Sequence, residues 1–324
     1  MPIAAQPSPD ASVEVTIRPL QERDLDVADR VMRMAFGTFL GAPDPMMVFG
    51  DADYVRSRFA AEPSWAFVAE RDGEVLGSNF ATRWGSFGFF GPLTVRHDLW
   101  EQGIASRLLE PVVDLFDSWQ VRQAGLFTFP QSAKHIGLYQ KFGFWPKHLT
   151  PVMGKEVSPT NASRGLSTYS EIPDAERPGV LSACREVTDA IFDGLDVEHE
   201  IRATDGQALG DTVLLRDGSE LLAFAVCHCG AGEAGSDACF IKFGAVRPGT
   251  DAGDVFERLL DACEQLARER GVQRIVAGVN AARHDAYRRL LDRGYRTFLQ
   301  GVVMLRPNDQ GYCRADAYVI DDLR

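Results

Sequence analysis

Between an apolar run at residues 87–95 and an amphipathic run that starts at Ile104, the chain reads Trp100-Glu101-Gln102-Gly103-Ile104-Ala105. A strand that passes through so short a loop into a helix leaves backbone N–H groups unpaired at the helix's positive end, which is a site for an anion such as a phosphate. Gly103 permits a backbone geometry that a Cβ would hinder, and Ala105 leaves room for an anion to approach. The same residues also suit an ordinary tight turn, so the loop alone does not identify a ligand. All six cysteines lie in the C-terminal half and none forms a Cys-x-x-Cys pair. In Cys227-His228-Cys229, strand alternation turns neighbours to opposite faces, so one ion would not meet all three. The thiols read as reduced structural filler, and no metal is expected.

The elements that must hold the loop follow from the spacing of apolar residues. Residues 13–20 alternate like a strand, 24–39 have helical spacing, and 65–70 with 75–83 flank Asp72-Gly73 as a hairpin. Residues 87–95 read as one longer strand. Ile104, Leu108, Leu109, Val112, Val113, Phe116 and Trp119 mark one face of a helix that Pro111 should kink. A buried strand at 124–129 and a short helix at 132–142, closed by Gly143, follow. Residues 2–12 read as a disordered tail, and the polar stretch 158–165 as a linker that splits the chain nearly in half. The second half repeats the landmarks: Asp217-Gly218 provides a hairpin between 212–215 and 221–227, and 240–246 is the long strand. With an offset of 151 residues and no gap, Val95-Arg96 falls on Val246-Arg247, Arg107-Leu108-Leu109 on Arg258-Leu259-Leu260, and Gly143-Phe144 on Gly294-Tyr295. The order strand, loop, helix, strand, helix and terminal Gly marks two copies of one α/β unit in tandem.

At 324 residues and 45% apolar content the chain can fill two cores. A net charge of -12 argues against nucleic acid as a partner, because that binding depends on Lys and Arg neutralising phosphates; a cationic or small neutral substrate fits better. No apolar run approaches the roughly 20 residues of a spanning helix, and residues 1–12 lack a signal peptide's basic start and apolar core. No membrane association and a cytoplasmic location are therefore expected. An oligomeric state is not specified.

Leu93-Thr94-Val95, then Gln102-Gly103-Ile104-Ala105, Leu108-Leu109 and, further on, Leu138-Tyr139-Gln140-Lys141-Phe142-Gly143-Phe144 resemble the GNAT acetyltransferase family. The resemblance covers residues 13–156 well and the second half only by fold pattern. It implies an α/β (α+β) fold of two tandem GNAT-like acyl-CoA N-acyltransferase units, each a mixed, mostly antiparallel twisted sheet flanked by helices. Residues 13–157 would form the CoA-binding domain, and 166–324 a degenerate, structural one. The backbone of Leu93, Thr94 and Val95 would meet the pantetheine arm of acetyl-CoA, with the Val95 N–H polarising the thioester carbonyl. The N–H groups of Gln102, Gly103, Ile104, Ala105 and Ser106 would hold the pyrophosphate, and Tyr139 would protonate the departing thiolate. One departure matters: the motif's first position, usually Arg or Gln, is Trp100, so a side-chain contact to phosphate is lost while the backbone donors remain.

The implied reaction is transfer of an acetyl or short acyl group from acetyl-CoA to a primary amine of a small molecule or peptide by direct attack. The alternatives are a non-catalytic acyl-CoA sensor and a CoA-independent aminoacyl or peptidyl transferase of related tandem fold. No base is assigned: no acid lies on 87–95, His97 and Asp98 fall on the loop side, and Asp44, Asp51 and Asp53 read as loop carboxylates. In the second copy the offset places Asp254, Phe256 and Leu290 where the first has Gly103, Ala105 and Tyr139. The changes add negative charge, fill space and remove a proton donor, so one active site per chain is expected. The second copy's sheet is expected to pack against the first, with Arg283 and His284 at the surface.

Overall fold

The computed structural model describes residues 14–157, 166–230 and 232–324. The tail and linker expected at 2–12 and 158–165 lie outside the described residues. The first half runs β1 (Thr16–Pro19), α1 (Leu25–Leu40), α2 (Tyr54–Ala61), β2 (Ala66–Arg71), β3 (Glu74–Trp84), β4 (Phe87–Phe90), β5 (Thr94–Val95), α3 (Ile104–Ser118), β6 (Gln123–Thr128), α4 (Ala133–Gln140) and β7 (Trp145–Glu156). The second runs α5 (Arg177–Asp189), α6 (Glu198–Gly206), β8 (Gly210–Asp217), β9 (Glu220–Gly230), β10 (Gly235–Val246), α7 (Ala252–Glu269), β11 (Arg274–Gly278), α8 (His284–Asp292), β12 (Arg296–Arg306) and β13 (Val319–Ile320). No helix among the described residues is long and apolar enough to cross a membrane.

The repeat is visible in the strand register itself. Phe87 of β4 pairs in parallel with Gln123 of β6, and 151 residues on, Ala238 of β10 pairs in parallel with Arg274 of β11. The starts of α4 and α8 and the ends of α3 and α7 keep the same offset. Gly143 and Gly294, at φ 81 and 90°, close the last helix of each half in the left-handed region that favours glycine.

Instead of packing face to face, the two halves form one continuous sheet in the order β1-β2-β3-β4-β6-β12-β7-β11-β10-β9-β8. They exchange their last long strands. β12 of the second half pairs with β6 of the first, and β7 of the first pairs with β12 and β11 of the second. Hydrophobic burial follows the same exchange: Trp84 of β3 contacts Phe89 at 4.6 Å and Phe243 of β10 at 5.1 Å within one shared core. Because both strand partners of β7 belong to the second half, a chain ending at residue 157 is expected not to yield a folded monomer. Size-exclusion chromatography and near-UV circular dichroism would show this, and a monodisperse, natively packed fragment would contradict it.

The stretch 87–95 is two strands, not the single one expected. Between the pairs Ala81↔Phe90 and Ser78↔Thr94, β3 moves three residues while its partner moves four, so Gly91-Pro92-Leu93 forms a bulge. Pro92 brings no N–H to a ladder. β4 keeps β6 as its neighbour, whereas β5 pairs only with β3, and the sheet splays open beside β5. Gly77 allows the close pairing that remains, since a Cβ there would lie 2.3 Å from the Thr94 carbonyl oxygen.

In Cys227-His228-Cys229 the alternation holds. Cys227 faces Cys263 with sulfurs 3.9 Å apart, beside Cys239, whereas His228 Nε2 lies 3.2 Å from the Thr204 hydroxyl.

Candidate active site

The splay beside β5 opens into a cavity of about 650 Å³ lined by α1, β5, the start of α3, Phe129 and α4. That is the size of an ordinary small-molecule pocket. A larger groove of about 930 Å³ lies between α1 and the β2–β3 turn, but it is lined by Arg18, Asp24, Glu70, Glu74, Arg96 and Asp98, which pair with one another.

The cavity gathers most of the residues singled out from the sequence. Leu93, Thr94, Val95, Gly103, Ile104, Ala105, Ser106 and Tyr139 all line it; Gln102 is exposed and does not. The Arg96 N–H donates to the Leu76 carbonyl at 2.8 Å, so alternation turns the Val95 N–H away from β3, toward the open edge. Gly103 caps α3 at φ 80°, ψ -1°, with no side chain capping the helix, and the first intrahelical bond runs from the Arg107 N–H to the Gly103 carbonyl at 3.3 Å. Among the described residues the N–H groups of Ile104, Ala105 and Ser106 have no partner. α3 is held against β3 by its buried face of Leu108, Leu109, Val112 and Phe116 and by Asn79, whose amide donates to the Leu108 carbonyl at 3.2 Å. The helix runs on past Pro111 to Ser118.

Trp100 takes a backbone role. Its indole N–H donates to the Val95 carbonyl at 2.9 Å, and Lys134, from the first turn of α4, lies over the ring at 5.5 Å. Lys134 also pairs with Glu101 at 2.9 Å, which brings its ammonium to the α3 end of the cavity, where the sequence motif has lost a side-chain contact. Tyr139 packs edge-on to Phe90 at 5.7 Å and is 8% exposed. Burial pushes its hydroxyl up to about 12, against the lowering effect of a hydrogen bond with Thr128, so it keeps its proton throughout the neutral range. Sequence reasoning missed Lys134, His135 and the ring wall of Phe36, Phe39 and Phe129. His135 stands four residues before Tyr139, a helical spacing that was open to notice.

The loop acids are engaged elsewhere. Asp44 accepts the Met46 N–H at 3.1 Å, Asp51 the Ser236 N–H at 3.0 Å, and Asp53 caps α2 through the Arg56 N–H at 2.9 Å.

Residues 37–144 match the family model of the acetyltransferase (GNAT) family. Over that third of the chain it is similar to the GNAT family. Solved structures extend the likeness to the whole fold. A candidate acetyltransferase from Pyrococcus horikoshii shares 15% identity over 97% of this chain and 96% of its own, with a TM-score of 0.68. A GCN5-related N-acetyltransferase from Sphaerobacter thermophilus shares 16% over 90% and 95%, with a TM-score of 0.60. A tandem GNAT protein from the clavulanic acid biosynthesis pathway shares 13% over 90% and 98%, with a TM-score of 0.56. No curated protein sequence matches significantly. At these identities the structural likeness speaks to the fold, which is the tandem GNAT fold.

The second GNAT-like half has no equivalent opening, and the reason goes beyond the substitutions read from the sequence. α7 starts at Ala252, three residues ahead of the residue that matches Ile104, so the counterpart of the Gly103 loop is wound into helix. Phe256 and Leu290 are fully buried in the core. The edge of β10 that corresponds to β5 is taken by β13, and the Val246 N–H, counterpart of the Val95 N–H, donates to the Tyr318 carbonyl at 3.1 Å. Arg283, expected at the surface, is 1% exposed and holds this strap in place. It pairs with Asp321 at 2.8 Å, donates to the Val319 carbonyl at 3.1 Å and stacks on Tyr312 at 4.8 Å. A buried guanidinium needs such partners to offset its lost hydration.

Proposed function

We propose that the cavity beside β5 is an acyltransferase centre that takes acetyl-CoA, or a related short acyl-CoA, and passes the acyl group to a primary amine of a small molecule or peptide. The observation that carries this reading is the convergence on one cavity of three groups: the unpartnered N–H groups at the start of α3, the outward Val95 N–H, and the protonated Tyr139. The cofactor fits this donor set, because its pyrophosphate is an anion suited to a helix N-terminus and its pantetheine arm is an extended chain suited to an open strand edge. When bound, it supplies an activated acyl thioester. Ile104, Ala105 and Ser106 then hold the phosphates, with Lys134 adding charge. The Val95 N–H would donate to the thioester carbonyl oxygen, and Tyr139 would hold the proton for the leaving sulfur. The β13 strand seated on the matching edge of the second half illustrates how an extended chain adds there. Residues 166–324 serve to complete the sheet and its core.

Calorimetric titration with acetyl-CoA tests the reading. Wild type is expected to bind, and Gly103→Glu to lose binding at least ~10-fold through a carboxylate set at the anion site. Gly103→Ala is the control. Nothing lies within 4 Å of a Cβ there, so its effect is limited to the strain of φ 80°, about 1 kcal/mol. Equal binding by wild type and Gly103→Glu would reject the loop assignment, and free-thiol release with amines separates an enzyme from a sensor.

A further inference from the structure

Part of the cavity lining is unlike the start of α3. Phe36 and Phe39 of α1 face it together with Phe129, the Phe39 ring lying 4.9 Å from Phe129 and 5.0 Å from His135. His135 stands one turn before Tyr139, so the two side chains share a face of α4. The backbone N–H of His135 is taken by the Ser132 cap at 3.4 Å, which fixes the start of the helix. Its imidazole nitrogens have no hydrogen-bond partner among the described residues. The charged residues that line the cavity are Glu101, Lys134 and Lys141. Glu101 is tied to Lys134 on the exposed side, and the faces of α1 and of the Phe129 segment turned to the cavity carry no charge. The three acids of the α1–α2 loop segment each accept a backbone N–H.

We infer that this ring-lined end is the acceptor subsite, that it takes an amine carried on an aromatic or alkyl body, and that His135 is the base that receives the amine proton. The inference rests on the acyltransferase reading above. In the step, the amine nitrogen bonds to the thioester carbonyl carbon and the carbon–sulfur bond breaks. The proton lost by nitrogen goes to His135, the proton gained by sulfur comes from Tyr139, and solvent returns a proton from imidazolium to phenolate. Burial, followed by the charge of Lys134, holds the His135 imidazole below its ordinary range, so it is neutral and able to accept at neutral pH. An apolar wall suits an amine body without further charge, because burying a second cation unpaired is costly.

The experiment uses the full chain with acetyl-CoA and four amines: 2-phenylethylamine, octylamine, putrescine and lysine. Acetyl-CoA binding is measured first. Thiol release is expected to show kcat/KM at least ~10-fold higher for the first two amines. His135→Gln is expected to lower kcat ~10²-fold and to remove the acid limb of the kcat/KM profile, with acetyl-CoA affinity unchanged. Phe39→Ala should raise KM for the favoured amines alone. Preference for putrescine or lysine, or no turnover with any of the four, overturns the acceptor class. A His135→Gln enzyme that keeps the rate and the acid limb overturns the base. Wild type that fails to bind acetyl-CoA overturns the parent reading, and this inference with it.

Discussion

Tyr139→Phe is expected to lower the rate of acyl transfer ~10²- to 10⁴-fold, the usual contribution of a positioned general acid, while acetyl-CoA affinity stays unchanged. The substitution keeps the ring that packs on Phe90 and Phe144 and removes only the hydroxyl. The loss of the Thr128 hydrogen bond is worth about 1 kcal/mol of stability, too little to unfold the chain. Burial is what would make the hydroxyl useful as an acid. With its pKa pushed up to about 12, Tyr139 is a proton donor at any physiological pH and adds no alkaline fall to the rate until the pH nears that value. Single-turnover thiol release measures the effect, and a full-rate Tyr139→Phe enzyme would return Tyr139 to a purely packing role.

Glu233→Gln is expected to destabilise the chain by ~3–5 kcal/mol, because it leaves two buried cations without their shared counter-charge. Glu233, 3% exposed at its side chain, accepts from Arg58 of α2 at 2.7 Å and from Lys242 of β10 at 2.6 Å, so one carboxylate ties the first half to the second. Arg58 also donates to the Gly91 carbonyl in the bulge between β4 and β5. The seam therefore reaches the strand break on which the orientation of Val95 depends. Burial would raise the Glu233 carboxyl, but the charges of Arg58 and Lys242 outweigh it and hold the group well below the ordinary range. A depressed carboxyl contributes stability that is complete above its unfolded value and is lost as the pH falls through the folded one. Urea denaturation across acidic pH should show that loss in wild type and a flatter dependence in Glu233→Gln. Parallel curves would mean that the triad does not govern the acid side.

Much of the fold was legible because local patterns and tertiary packing agree. The Asp72-Gly73 and Asp217-Gly218 turns, the apolar face from Ile104 to Phe116 and the closing glycines at 143 and 294 all stand where their spacing put them. The bulge at Gly91-Pro92-Leu93 was hidden, because an apolar run looks continuous whether or not its register slips by one residue. Arg283 was misplaced for a related reason: hydropathy assigns arginine to the surface, and its partner Asp321 lies 38 residues away.

The sequence by itself determined the two-copy α/β plan, the Gly103 loop that opens a helix and the presence of Tyr139 one helix further on, since each depends on residue type and short spacing. The exchange of β7 and β12 between the halves, and the filling of the second site by β13, were decided only by tertiary structure. Strand pairing is a contest among edges that are distant in the chain, and hydropathy does not say which edge wins. The same holds for His135. Its ring gains meaning only when α1 brings Phe39 beside it at the cavity that Tyr139 and Val95 also line.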